Sequence, residues 1–179
     1  EVSGLMDLFA RFLQKKEVVK LHENNIRLRF IGSRARFSAK LQALMRNAET
    51  LTADNSGLCV VIAADYGGRW DIANAAYQVA AAVKQGALQL EEITEVLLQR
   101  YLSVSDIPDP DLCIRTGGEC RISNFLLWQL AYAELYFSTT LWPDFDEVEF
   151  NHALTDFARR QRRFGKLSEQ LELSSAMRS

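Results

Sequence analysis

The run Leu58-Cys59-Val60-Val61-Ile62-Ala63-Ala64 has no polar side chain and is rich in β-branched residues. A segment of that length predicts a strand covered on both faces, the setting of a parallel strand in an α/β sheet. Parallel pairing requires crossovers, and the flanking sequence offers them. Val2, Leu5, Leu8, Phe9, Phe12 and Leu13 recur at helical spacing, continued by Val18, Val19 and Leu21 up to a stop at Asn24-Asn25. One long amphipathic helix is therefore expected first. Ile26-Arg27-Leu28-Arg29-Phe30-Ile31 alternates apolar and basic residues, as a strand with one buried face does. Leu41, Leu44, Met45, Ala48 and Leu51 return to helical spacing over 38–52. After the apolar run come a loop over 65–71, an alanine-rich helix over 73–84 and another helix over 91–101.

Prolines and aspartates make 103–111 an irregular connection. Asp111-Leu112-Cys113-Ile114 is then a short strand candidate, and Ser123-Asn124 is placed to cap a helix beginning near Phe125. Glu134-Leu135-Tyr136-Phe137 reads as a last strand. A final helix over 146–164 is expected to turn Val148, Phe150, Leu154 and Phe157 inward. The fold class is α/β, a mainly parallel central sheet flanked by helices. One domain is expected over 1–165, with a mobile polar tail over 166–179.

Composition narrows the function classes. A formal charge of -2 over 179 residues leaves no broad basic footprint, so no nucleic-acid partner is expected and phosphate recognition must be local. Three cysteines without a Cys-x-x-Cys pair suit a reducing, cytoplasmic compartment, and no apolar run reaches membrane-spanning length.

Chemistry concentrates in Ile114-Arg115-Thr116-Gly117-Gly118-Glu119-Cys120-Arg121-Ile122-Ser123-Asn124. Two arginine forks, two glycines and an anticipated helix start form an anion clamp, and phosphate suits it best. The plainer reading of any single Arg-Thr-Gly-Gly is a solvated strand-to-helix turn. In an open parallel sheet, this loop and 65–71 would gather along the same edge. Glu134 could aim a carboxylate toward that region, which suggests Mg²⁺, an ion that takes few protein ligands and completes its shell with phosphate and water. Neither glycine pair has dinucleotide-binding spacing, and no Gly-x-x-x-x-Gly-Lys occurs. His22 and His152 lack motif partners, and Cys120 lacks a His partner and reads as a bystander.

Arg115-Thr116-Gly117-Gly118-Glu119-x-Arg121-Ile122-Ser123-Asn124-Phe125-Leu126-Leu127-Trp128-Gln129, Ala131-Tyr132-Ala133-Glu134-Leu135-Tyr136-Phe137 and Trp142-Pro143-Asp144-Phe145 closely resemble the bacterial undecaprenyl diphosphate synthases, a cis-prenyltransferase family. Tyr66-Gly67-Gly68-Arg69-Trp70-Asp71 and Arg162-Arg163-Phe164-Gly165 match as well. The resemblance implies repeated condensation of isopentenyl diphosphate onto farnesyl diphosphate with Mg²⁺, making undecaprenyl diphosphate for a cell-wall lipid carrier. Arg115, Arg121, Ile122 and Ser123 would hold isopentenyl diphosphate, and Glu134 would bind the metal. Cys120 stands where some relatives have a metal-assisting His. An apolar tunnel would include Leu5, Leu8, Phe9 and Leu58. The stretch Arg163-Phe164-Gly165 would reach a partner's site in a homodimer, and the product side would contact the inner membrane face.

The family's Asp-Gly-Asn-Gly-Arg-Trp motif, carrying the essential Asp, does not occur in 1–179. The resemblance therefore implies a carboxy-terminal part of a longer enzyme, inactive alone. Two other readings are a non-catalytic phosphate-binding partner subunit of a prenyltransferase dimer and a generic nucleotide-binding module.

Overall fold

The computed structural model describes residues 2–160 and the side chains of most of them. They group into two compact units, the first 2–108 with Asn124–Trp128, the second Asp109–Ser123 with 129–160.

In the first unit the expected long helix is two, α1 (Val2–Phe12) and α2 (Lys15–Glu23). Gln14 adopts an extended ψ of 149°, and Leu13 beside it is buried, so burying this leucine breaks the helical run. Then follow β1 (Arg27–Ile31), α3 (Ala39–Leu51), β2 (Cys59–Ala63), α4 (Gly68–Lys84) and α5 (Glu95–Gln99). The helix expected over 91–101 is a 3₁₀ turn, Leu90–Glu92, followed by α5, which Thr94 caps by accepting from Leu97 N. β1 and β2 pair in parallel from Arg27↔Cys59 to Ile31↔Ala63. Leu28, Phe30, Leu41, Met45, Ala48, Leu13 and Val18 form the core between this ladder and the helices. Each large apolar side chain fully buried there contributes about 1.5–3 kcal/mol.

Parallel pairing uses alternate residues of a strand, which leaves every second N–H of β1 facing away from β2. Two of these are satisfied by a side chain of α3 and by that of Thr52, which ends it. Leu28 N donates to Thr52 Oγ1 at 3.0 Å, and Phe30 N donates to Glu49 Oε1 at 3.0 Å. Thr52 is fully buried, and its hydroxyl donates a hydrogen bond to the Ala48 carbonyl.

The second unit holds β3 (Leu112–Arg115), β4 (Glu134–Phe137), the 3₁₀ turn Trp142–Asp144 and α6 (Glu147–Arg159). β3 and β4 are parallel, with Leu112 opposite Glu134 and Arg115 opposite Phe137. Asp146 caps α6 by accepting from Glu149 N at 3.0 Å. The inward face of α6 differs from expectation, since its buried residue is Ala153 while Val148, Phe150 and Leu154 are exposed. The helix packs through Ala153, with Phe157 one turn on half-buried as expected.

No helix forms after Asn124. Ser123, Asn124 and Leu126 have φ of +46°, +62° and +41°, incompatible with a right-handed helix start, and the segment is a series of turns.

Candidate functional site

Arg115 closes β3 and then folds the following loop around itself. Its Nη1 donates to the Arg121 carbonyl at 2.7 Å and to Ser123 Oγ at 2.9 Å. Glu119 reaches into the same ring. Its Oε2 is buried, has Arg115 Nη2 at 3.9 Å and is in direct contact with Arg121 Nη2. Two guanidinium groups thus converge on one carboxylate oxygen, as they would on an oxygen of a diphosphate. Arg115, Arg121 and Ser123, grouped by sequence reasoning, are brought together.

The glycines act differently from expectation. Gly117 and Gly118 have φ of +85° and +77°, a left-handed backbone that suits glycine. Their N–H groups donate to the carbonyls of Thr140 at 2.8 Å and Ser138 at 2.9 Å. They pin the loop to the segment after β4 and do not face an anion. With no helix start behind the loop, its positive character comes from the arginines alone. Ile122 is half-buried, and Cys120 is exposed with Sγ 4.0 Å from the Gly118 carbonyl. Cys113, within β3, has its thiol pushed up by burial, against the pull of Arg115.

Glu134 does not join this cluster. It begins β4 opposite Leu112, three ladder positions from Arg115, or roughly 10 Å along the strand at ~3.3 Å per residue. Its Oε2 accepts from Arg160 Nη1 at 3.0 Å. Among the described residues no group of three or more His, Cys, Asp and Glu could hold a metal.

The tunnel residues are also dispersed. Leu8 and Leu58 are 62% and 66% exposed, and Phe9 packs edge-to-face on Phe30 with ring centres 5.8 Å apart. The Leu5 side chain lies outside the described ones. An apolar cavity of about 280 Å³ does open nearby, lined by Leu13, Val18, Leu44, Asn47, Ala48 and Leu51. Arg162, Arg163, Phe164 and Gly165 lie outside the described residues.

In the first unit, the loop expected over 65–71 is shorter, since α4 begins at Gly68 rather than near Ala73 and 68–71 are its first turn. Asn124 caps it. Its backbone oxygen accepts from Gly68 N at 2.6 Å, and its Oδ1 accepts from Arg69 N at 2.9 Å. A Cβ at Gly68 would stand 2.6 Å from Leu127 Cγ, so only glycine permits this approach. Asp71, 1% exposed, accepts from Tyr66 Oη at 2.9 Å, from Ser103 Oγ at 2.6 Å and from Ser103 N at 3.1 Å. Burial, then the bond to Asp71, hold the Tyr66 phenol far above its ordinary range. Glu119 and Arg160 were given no role by sequence reasoning, and Asn124 was placed as the cap of a helix near Phe125 rather than of α4. A cap that acts 55 positions upstream leaves no local pattern; only the tolerance of asparagine for positive φ hints at it.

The family profile described as "Putative undecaprenyl diphosphate synthase" matches residues 1–165. The chain belongs to that prenyltransferase family. It is 60% identical over 172 residues to ditrans,polycis-undecaprenyl-diphosphate synthase ((2E,6E)-farnesyl-diphosphate specific) of Pseudomonas putida, a match covering 96% of this chain and 68% of that protein. The synthase of the same name from Escherichia coli is 55% identical over 92% of this chain and 65% of its own length. Among solved structures, lavandulyl diphosphate synthase from Lavandula x intermedia, in complex with dimethylallyl diphosphate, superposes with a TM-score of 0.87 and 38% identity, covering 92% of this chain and 71% of that one. A probable undecaprenyl diphosphate synthase from Campylobacter jejuni gives 0.80 and 37%, covering 92% and 74%. The α/β architecture of parallel strands flanked by helices is thus that of the cis-prenyltransferases. No described helix is long and apolar enough to cross a membrane.

Proposed function

We propose that this chain carries the isopentenyl diphosphate half of a cis-prenyltransferase that extends farnesyl diphosphate to undecaprenyl diphosphate. The observation that carries the reading is the convergence of Arg115 and Arg121 on one carboxylate oxygen at the end of β3. On binding, the substrate diphosphate replaces Glu119 between the two guanidinium groups. Ser123, held by Arg115 Nη1, orients that fork, and half-buried Ile122 offers an apolar wall beside it. Charge-assisted bonds of this kind contribute about 1.5–3 kcal/mol each.

Membership of the family, rather than a cluster of ligands, points to Mg²⁺, and Glu134 is the carboxylate that would hold it. Glu134 supplies a single carboxylate, as is usual where substrate phosphates and water complete an octahedral shell. When bound, Mg²⁺ neutralises diphosphate charge and assists departure of the allylic diphosphate. Cys120, a soft ligand, does not suit that ion. The family match runs unbroken across both units, which supports one prenyltransferase domain over 1–165. A homodimer working in the cytoplasm at the inner membrane face accords with the exposed apolar residues Leu141, Trp142 and Val148.

Incorporation of labelled isopentenyl diphosphate into farnesyl diphosphate, with Mg²⁺, tests the reading. Arg121→Ala is expected to raise KM for isopentenyl diphosphate about tenfold to a hundredfold, and Glu134→Ala to lower Mg²⁺-dependent kcat. Unchanged kinetics in both variants removes the site. Activity that arises only on adding a complete relative identifies a partner subunit instead.

A further inference from the structure

The clamp loop is seated on the strip 138–140, which leaves β4. Ser138 N donates to the Arg115 carbonyl at 2.8 Å, Gly117 N to the Thr140 carbonyl at 2.8 Å and Gly118 N to the Ser138 carbonyl at 2.9 Å. An added Cβ at Gly117 or Gly118 would meet no atom within 4 Å. On their side-chain face these glycines are open, and the N–H bonds are what hold them.

The strip has its own anchor, Glu149 in the first turn of α6. Glu149 Oε2 accepts from Ser138 Oγ and from Thr140 Oγ1, each at 3.3 Å. Ser138 is buried, and its Oγ also accepts from Thr140 N at 3.1 Å. Glu149 is in turn placed by the helix cap, since its N–H donates to Asp146 Oδ1 at 3.0 Å, and its Oε1 has His152 Nδ1 at 3.6 Å. A chain of contacts therefore runs from α6 through the strip to the clamp, all of it within the second unit.

Resting on the clamp reading above, we infer that Glu149 positions the diphosphate clamp: by fastening Ser138 and Thr140 to α6, it fixes the strip on which Arg115, Gly117 and Gly118 are seated. A hydroxyl bonded to a carboxylate is held more strongly than one bonded to a neutral oxygen. Two such bonds meet on one oxygen, so they set Ser138 and Thr140 together. Without Glu149 the buried Ser138 hydroxyl loses its acceptor, and the carbonyls that receive Gly117 and Gly118 loosen with it. A diphosphate needs both guanidinium groups at once, and a misplacement on the order of an ångström costs binding even with both arginines present. Glu149 acts through the strip and not on the diphosphate, which makes it a positioning residue.

Calorimetric titration of the full chain with inorganic pyrophosphate, paired with amide hydrogen exchange read by nuclear magnetic resonance, tests this without turnover. Glu149→Ala is expected to weaken pyrophosphate binding about fivefold. It is also expected to speed exchange at Gly117 and Gly118 about tenfold while the ladder of β3 and β4 stays as protected as in the unaltered chain. Glu149→Gln, which keeps an oxygen acceptor for the two hydroxyls, is expected to restore most of both. Glu147→Ala takes an exposed acid from the same turn of α6 and is expected to change neither. The inference is overturned by unchanged binding in Glu149→Ala, by weaker binding with Gly117 and Gly118 still protected, by equal weakening in Glu147→Ala, or by protection lost across the ladder as well. Arg121→Ala separates it from the reading beneath. If that variant binds pyrophosphate as tightly as the unaltered chain, the clamp reading itself fails; if it loses binding while Glu149→Ala keeps it, the role of Glu149 alone fails.

Discussion

Glu119 is the residue whose placement most alters the view of the clamp. In the sequence it is one acid between two arginines, indistinguishable from a solvated ion pair. In three dimensions its carboxylate sits where both guanidinium groups point. A diphosphate must therefore exchange with an internal anion, and binding is weaker than the arginines alone would give. Glu119→Gln is expected to tighten pyrophosphate binding about fivefold, about 1 kcal/mol for a partly exposed pair, as read by calorimetry; weaker binding would mean that Glu119 serves the site rather than competes for it. Cys120, exposed on the same loop, gives a second probe. It is expected to alkylate before Cys113, whose thiol burial holds up, and pyrophosphate is expected to slow it. Mass spectrometry of the labelled chain checks both orders. That the arginines and Ser123 would lie together was legible because they stand at close spacing in one loop after β3. Glu119 was not, because a charge between opposite charges is common on any surface.

At the scale of elements, legibility followed how much of a boundary is set by its own residues. β4 coincides with the reading, and β2 falls inside the apolar run, but its residues are half-buried and Ala63 is exposed rather than covered on both faces. The start of α4 was hidden because Gly67-Gly68 look like a loop until Asn124 is seen to cap them. The missing helix after Asn124 was equally hidden, for positive φ at Ser123 and Leu126 is imposed by packing rather than by their own preference. These docked termini yield two stability predictions. Asn124→Ala is expected to cost about 1 kcal/mol through loss of the α4 cap. Thr52→Val leaves the Leu28 N–H buried and unpaired and is expected to cost about 1–3 kcal/mol. Urea unfolding with circular dichroism measures both, and a Thr52→Val chain as stable as the original would show that the β1 N–H finds another partner.

For the molecule as a whole, the α/β class and the family were readable because strand-loop-helix alternation and a long motif each admit few alternatives. What it keeps at its surface was not, since periodicity does not tell a core face from a contact face. Val148 and Phe150 read as inward yet are exposed, and Leu141 and Trp142 join them at 63% and 75% exposure. If these residues form the homodimer contact, Trp142→Ser is expected to shift the mass measured by light scattering toward the monomer at micromolar concentration. The side chains that Thr52 and Glu49 set against β1 have a consequence for assembly. With the Leu28 and Phe30 N–H groups of that flank engaged, the donors the ladder of β1 and β2 still turns outward lie on the flank of Cys59, Val61 and Ala63. Growth of this sheet is therefore favoured on the β2 flank, where a joining strand meets the most continuously apolar segment of the chain.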